Sequence, residues 1–396
     1  PGSLSLISSS INPKERGKAI GTWSAFTTVV TMGGPVLGGA FGDAGLWRYI
    51  FFINIPIGVV ALIILAKQVH EIKDDDSKQG LDFAGAIAIV LGLAAVTFGF
   101  LRIPEVGLRN WQVYASLGGG LMLLIAFVFI EKKSKYPMMP LQLFANLTFS
   151  GANLLTFFLY AGLGAGMLFL GLNMVQVQGY SQLQSGLTFL PFTVLMISIA
   201  RFAGTLADKH GPRLLLIGGP AAAGLGLLIL SFVTQTAGPA DYWTTFFPGI
   251  LVFGLGMAFT VAPLTAAVMG SVNDHFSGVA SGVNNALTRI ANVFANAILG
   301  ALAVLFFSGA LQDGIKNIKL DNKQKQAIEQ QAINLGNAKA PDGFEGQDKE
   351  AIEKAYKDSF IAAYGTIMRI SAGLGFLGAL MAVLFIRNSA VKRDTD

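Results

Sequence analysis

The sequence lacks cysteine altogether and is poor in charge. Without a thiol there is no disulfide, no thiolate nucleophile and no Cys-ligated metal. Charged residues make up 13% of the 396 positions, against ~25% in soluble domains. The three histidines (His70, His210, His275) have no regular spacing to carboxylates or to one another. A zinc site or an acid–base pair needs such spacing, so a membrane enzyme acting on lipid has no constellation to work with. A third shortage bears on energy coupling. No Asp or Glu falls deep inside any long apolar run; Asp43, Asp82 and Asp208 all sit near run ends. A proton-driven carrier needs a protonatable group in its path, and the sequence offers none there.

What is abundant is apolar surface and glycine: 53% hydrophobic residues, 48 Gly and 30 Phe. Runs long enough to cross ~30 Å of hydrocarbon fall at 18–43, 49–67, 82–101, 112–130, 149–174, 187–207, 213–234, 243–271, 282–307 and 360–386. The opening PGSLSLISSSI reads as the tail of a further apolar segment, so the expectation is an all-α polytopic membrane protein with helices preceding this chain.

The net charge of +5 does not form a nucleic-acid patch, because the basic residues sit in short loops between runs. Counted over alternate short connections, one side carries fifteen: Lys14, Arg16, Lys18, Lys67, Lys73, Lys78, Lys132, Lys133, Lys135, Arg201, Lys209, Arg213, Arg387, Lys392 and Arg393. The other carries three, Arg48, Arg102 and Arg109. The positive-inside rule then puts the C-terminus in the cytoplasm and segment 308–358 outside an inner or plasma membrane. That segment reads as a solvated hairpin, helical over 322–336 and turn-rich over 337–350.

Residues 31–58, TMGGPVLGGAFGDAGLWRYIFFINIPIG, set Gly34, Gly38 and Gly42 four apart with Pro35 among them. In a solvent-exposed helix each Gly costs up to ~1 kcal/mol and Pro about 3. In a bilayer the same residues let helices meet backbone to backbone. A weak internal repeat accompanies this. A shift of 261 residues lays Asn12, Gly17, Ala19, Gly21 and Ala25 on Asn273, Gly278, Ala280, Gly282 and Ala286. Paired halves are typical of secondary transporters, whose substrate site lies at the midplane between them.

With these motifs in place, the chain resembles the major facilitator superfamily, in particular its 14-helix drug:proton antiporter branch of the EmrB/QacA type. GGPVLGG (33–39) is similar to the superfamily's antiporter motif, and WRYIFFINIPIG (47–58) to the branch's extension of it. GTLADKHGPR (204–213) resembles the cytoplasmic loop motif as it recurs in the second half. QVQGYSQLQSGLTFLP (176–191) and the pattern running from GLGMAF to HFSGVASGVNNALTR (254–289) also follow the branch. The resemblance implies two six-helix bundles with two extra helices between them, about the first three helices being absent here. The chain then divides into 1–67 (remainder of the N-terminal bundle), 68–148 (inserted helices), 149–386 (C-terminal bundle) and the tail 387–396. It implies proton-coupled efflux of amphipathic or cationic compounds by alternating access, with no cofactor beyond the proton gradient. A periplasmic adaptor and outer-membrane channel are partners in some branch members. An importer, a narrow-substrate exporter and a non-transporting sensor remain the alternatives.

Three groups of site residues follow. By the resemblance, Gly33, Gly34, Pro35, Gly38 and Gly39 form the sealing motif. Gly204, Asp208, Gly211, Arg213 and Arg201 form a gating loop whose charges tie the halves together in one state. A substrate path is expected from Trp23, Phe26 and Phe157, which can stack on flat cations; from Asn54, Asn153 and Gln176; and from the intramembrane Arg289 and Arg369. Trp47 reads as an interfacial anchor and Asp43 as a helix cap.

Overall fold

A computed structural model describes residue 30 and residues 33–68, 82–273, 276–316, 318 and 320–387. Among these residues there are helices and connectors and no strand. Helix α1 covers 33–43. It is followed by the short α2 (Tyr49–Phe52), α3 (Asn54–Gln68), α4 (Phe83–Val106), α5 (Trp111–Lys133) and α6 (Leu147–Gln176). Then come α7 (Gln182–Leu187), α8 (Leu190–His210), α9 (Arg213–Leu230), α10 (Phe246–Gly270), α11 (Ser277–Gly314), α12 (Asn322–Gln330) and α13 (Gly346–Phe385). Nine spans among the described residues are long and apolar enough to cross a membrane. Each of them overlaps one of the ten runs read from sequence. The tenth, 18–43, is described only at residue 30 and from residue 33 onward.

Local chemistry sets the helix ends. The Asn146 carboxamide oxygen accepts from the amides of Thr148 (2.9 Å) and Phe149 (3.2 Å), starting α6, while its NH2 donates to Ser271 O at 2.8 Å. Asn110 starts α5 in the same way through Gln112 N. Gly211, at φ +83°, ends α8, a conformation that favours glycine.

Packing between helices runs on glycine. In α9, Gly219 and Gly226 lie against Gly249, Phe253 and Gly256 of α10. A Cβ on Gly256 would lie 2.6 Å from Gly219 O and 2.7 Å from Ala223 Cα. The opposite side of α9 meets α13, where Gly375 lies 2.9 Å (as an imagined Cβ) from Gly224 Cα. Helix α13 in turn packs on α6, which packs on α11, and the α4–α5 hairpin leans on α11. Without a hydrophobic drive between helices in lipid, such close backbone approach supplies the dispersion energy that holds them. Gly256→Leu is therefore expected to cost at least about 3 kcal/mol, because backbone on both sides cannot yield. The melting temperature of the detergent-purified protein checks this.

Helices α11 and α13 run 38 and 40 residues, about 57 and 60 Å at 1.5 Å per residue, roughly twice the hydrocarbon thickness. They continue well past runs 282–307 and 360–386 and carry segment 308–358 between them. That segment is a packed cap and not a loose hairpin. Ile315, Ile328, Ile352 and Tyr356 are buried in it, and the Tyr356 hydroxyl donates to Ile328 O at 3.1 Å. Burial pushes that phenol up to about 12. The cap seats Gly336 on Gln176, at the end of α6.

Candidate functional site

Helix α1 ends on Asp43, and three donors from the start of α7 converge on its carboxylate. Ser181 Oγ donates to Oδ2 at 2.7 Å, Leu183 N to Oδ2 at 3.0 Å and Gln182 N to Oδ1 at 2.8 Å. Ser181 is itself prepared for this. Its oxygen accepts from Gln184 N (3.2 Å) while Gln184 Oε1 accepts from Ser181 N (2.9 Å), a capping box that leaves the hydroxyl proton free to point at Asp43. Asp43 is thus a cap, as its position suggests, but of a helix nearly 140 residues further along the chain. The Ser181 hydroxyl first, then the Leu183 amide, hold its carboxyl below the ordinary value of 3.8.

Below Asp43 the two backbones touch. Gly39 is buried, and a Cβ there would lie 2.5 Å from Gln182 O and 2.7 Å from Leu183 Cα. From the other side, a Cβ on Gly186 would lie 2.5 Å from Pro35 O. A Cβ on Gly42 would meet only the flexible end of the Gln182 side chain. The contact stripe is Pro35, Gly39, Gly42 and Asp43. Gly34 and Gly38 have nothing within 4 Å among the described residues, and Gly33 only Leu37 of its own helix at 3.9 Å. The glycine face sits one residue round from the 34/38/42 stripe expected. The reason lies in the motif: GG at 33–34 and again at 38–39 fits both faces equally, and only the neighbour selects one. Beyond the joint, the Arg48 guanidinium stacks 4.4 Å from the half-exposed Trp47 ring. The joint and the cap 308–358 lie at the same end of the helices, since α6 ends at Gln176 and α7 begins six residues on.

The remaining expected residues are placed as follows. Asn153 is buried and forms a network between α6 and α11. Asn284 Nδ2 donates to Asn153 Oδ1 (3.1 Å) and to Thr156 Oγ1 (2.7 Å). Such a network ties helices together, and Asn284 was not singled out in the sequence. Phe157 is half-buried, edge-on to Phe158 at 5.8 Å. Gln176 lies under Gly336. Asn54 is exposed and donates to Ile50 O at 3.0 Å, bridging α2 and α3. Arg289 lines an apolar cleft of about 460 Å³ between α4 and α11, with Leu93, Thr97, Phe98 and Phe294. Arg369 is exposed, its guanidinium 5.8 Å over the Phe232 ring just past the end of α9. Arg369 is near the middle of α13, which begins at Gly346 and not near 360, and it lies level with the end of α9. The structure does not gather these residues into one cluster. Trp23 and Phe26 lie outside the described residues.

Of the segment 204–213 expected as a loop, residues 204–210 are the last turns of α8 and Arg213 begins α9, so the turn itself is Gly211–Pro212. Arg201 is exposed, and Arg213 Nη2 donates to Val383 O at 3.1 Å, fastening the α8–α9 corner to α13. A Cβ on Gly204 would lie 3.7 Å from Ala262 Cβ, an ordinary contact, so close crossing does not require glycine there. The Asp208 side chain lies outside what the structure describes. Among the described residues no group of three His, Asp or Glu is placed to hold a metal.

Comparison with known proteins gives one family and many relatives. Residues 1–296 match the sequence profile of the Major Facilitator Superfamily. The chain is 28% identical over 339 residues to the multidrug resistance protein Stp of Mycobacterium tuberculosis, covering 85% of this chain and 62% of that one. It is 23% identical over 398 residues to the tetracenomycin C resistance and export protein of Streptomyces glaucescens (98% and 72%). It is 28% identical over 306 residues to the multidrug transporter protein MdtP of Bacillus subtilis (76% and 55%). The chain thus spans under two thirds of the length of Stp and of MdtP.

Proposed function

The chain belongs to the Major Facilitator Superfamily, a class of transporters not known to be catalytic, and from that premise we propose that it is a proton-coupled drug exporter of the 14-helix branch. It moves amphipathic, often cationic, organic compounds outward in exchange for protons. The names of its relatives, which speak of multidrug resistance and export, support the substrate class. The motifs at 33–58 and 176–191 support the branch.

The observation that carries the reading is the joint between α1 and α7. A carrier that alternates must close one membrane face while the other is open, and it must do so by a contact that forms and breaks as a unit. Backbone-to-backbone packing at Gly39 and Gly186, fastened by three hydrogen bonds on Asp43, is such a contact. It joins a helix of the first bundle (1–67) to one of the second (149–386), on either side of the inserted hairpin (68–148). With the basic loops and the C-terminus in the cytoplasm, the joint and the cap 308–358 face outward, and the conformation is closed to the outside. An adaptor and outer-membrane channel would meet the protein at that face.

The test is ethidium accumulation in cells expressing the full-length protein, with and without a protonophore. Expression is expected to lower accumulation, and the protonophore to restore it. Accumulation that expression leaves unchanged would remove export of organic cations, and efflux that survives the protonophore would remove proton coupling.

A further inference from the structure

One face of α13 stays exposed along the helix, and its chemistry changes with height. Near the start of the helix it carries Lys354 and Asp358, exposed in the cap. Further down come Arg369 and, just past the helix end, Arg387, both exposed. These two arginines are about five turns apart and so stand one below the other. Between them the exposed positions are Gly373, Phe376, Leu377, Leu380, Val383 and Leu384, without a polar side chain among them.

The height of that apolar stripe identifies what covers it. From residue 369 to residue 387 the helix rises about 27 Å, close to the ~30 Å of bilayer hydrocarbon. An apolar wall of that height with an arginine at either edge faces lipid. Helix α9 continues the wall. Gly224 lies against Gly375 at its centre, and Leu214, Gly218, Leu225 and Phe232 of the α9 side are exposed. Trp243, in the connection beyond the end of α9, is 66% exposed, as an aromatic side chain at headgroup level is.

Side chains on a helix lean toward its N-terminus, so the Arg369 guanidinium is carried toward the cap and out of the hydrocarbon. It lies 5.8 Å over the Phe232 ring, itself 67% exposed. The ring holds the guanidinium by its face and leaves the N–H donors at its edge unused. Among the described residues no oxygen accepts from them and no carboxylate pairs with the charge. At this depth lipid supplies the matching acceptor, a phosphate, whose oxygens suit the planar fork of donors. One turn below, a Cβ on Gly373 would have nothing within 4 Å, which leaves a notch in the wall under the guanidinium.

We propose that Arg369 and Phe232 form a phospholipid site. The guanidinium binds the headgroup phosphate of an anionic lipid in the leaflet on the side of the cap 308–358, and an acyl chain of that lipid runs down the α9–α13 wall over Gly373. Arg369 is then a lipid anchor and not part of a substrate path. The site uses neither the joint nor a transported compound, and its test reads lipid and not transport.

The test uses the full-length protein in phosphatidylcholine vesicles that contain equal small amounts of two photoreactive lipids, phosphatidylglycerol and phosphatidylcholine, each with a diazirine high in one acyl chain. After illumination, mass spectrometry reads the ratio of the two adducts on the peptides around Gly373 and Leu225. Phosphatidylglycerol is expected to exceed phosphatidylcholine there by about fivefold, the worth of one basic residue at an anionic surface. Arg369→Gln should bring the ratio to that found around Leu380 and Leu384, lower on the same wall. Arg369→Lys keeps the charge and should hold at least about half of the excess. A ratio that Arg369→Gln leaves unchanged would overturn the site, and so would an equal loss in both variants, which would make the residue a packing element. Inorganic phosphate in excess should not displace the lipid; a ratio that it abolishes would mark a site for free anions and overturn the lipid assignment.

Discussion

Gly39→Ala is expected to bring export to the level of cells lacking the protein, while the variant still reaches the membrane. One added methyl is a small change in most interfaces. Here it would stand 2.5 Å from Gln182 O and 2.7 Å from Leu183 Cα, and both are backbone atoms of a helix start that a capping box holds rigid. Overpacking of this kind costs about 1–3 kcal/mol where side chains can adjust, and more where they cannot. The cost falls on the closed joint alone, because separated helices have room for the methyl. In the proposed cycle the state with this joint closed is depopulated and transport stalls, which a folding defect would not mimic at normal membrane levels. Gly186→Ala meets Pro35 O from the opposite side and should behave alike. Since both variants break one contact, the double variant should be no worse than either. Gly42→Ala meets only the flexible end of Gln182 and should retain export within about twofold. Ethidium accumulation, normalised to protein in the membrane, reads all four. Full export by Gly39→Ala would show that the joint plays no part in the cycle.

Asp43→Ala should lower export roughly tenfold or more, since it removes every acceptor for three converging donors, two of them at a helix N-terminus. Asp43→Asn keeps one acceptor oxygen and should fall between. The pH dependence follows from the sign of the shift. The Ser181 hydroxyl and the Leu183 amide hold the Asp43 carboxyl below 3.8, so the contribution of the ionised group is complete above that value. It is lost only as pH falls through the lowered one. Between about pH 5 and 8 the latch is therefore constant, so under the proposed proton-coupled cycle Asp43 is not the group that carries the proton. The pH profile of export by Asp43→Asn should parallel that of wild type at a lower rate. A profile displaced along the pH axis would instead make Asp43 a proton carrier.

Much of this protein was legible without coordinates, for a simple reason. A bilayer demands that every backbone polar group be satisfied within its own segment, so apolar runs of sufficient length must be helices. Nine spans followed from that rule alone. The capping box at Ser181–Gln184 is equally local, set by residues three apart.

What sequence could not decide was which helices meet. The doubled glycines at 33–34 and 38–39 are compatible with two faces, and only α7 selected Gly39. Asp43 is recognisable as a cap, yet nothing local says that it caps a helix from the far side of the inserted hairpin. Glu131 fell just past a run drawn to residue 130. Its burial depends on the antiparallel register of α4 and α5 and on the fold-back of the connector to Met139. The length of α11 and α13 was hidden because their outer turns are polar in sequence and find their apolar partners only in the cap of Ile315, Ile328 and Tyr356. Composition and periodicity determine elements, because solvent and backbone act on each residue separately. Contacts between elements depend on pairs of residues far apart in the chain, and only the tertiary structure brings those pairs together.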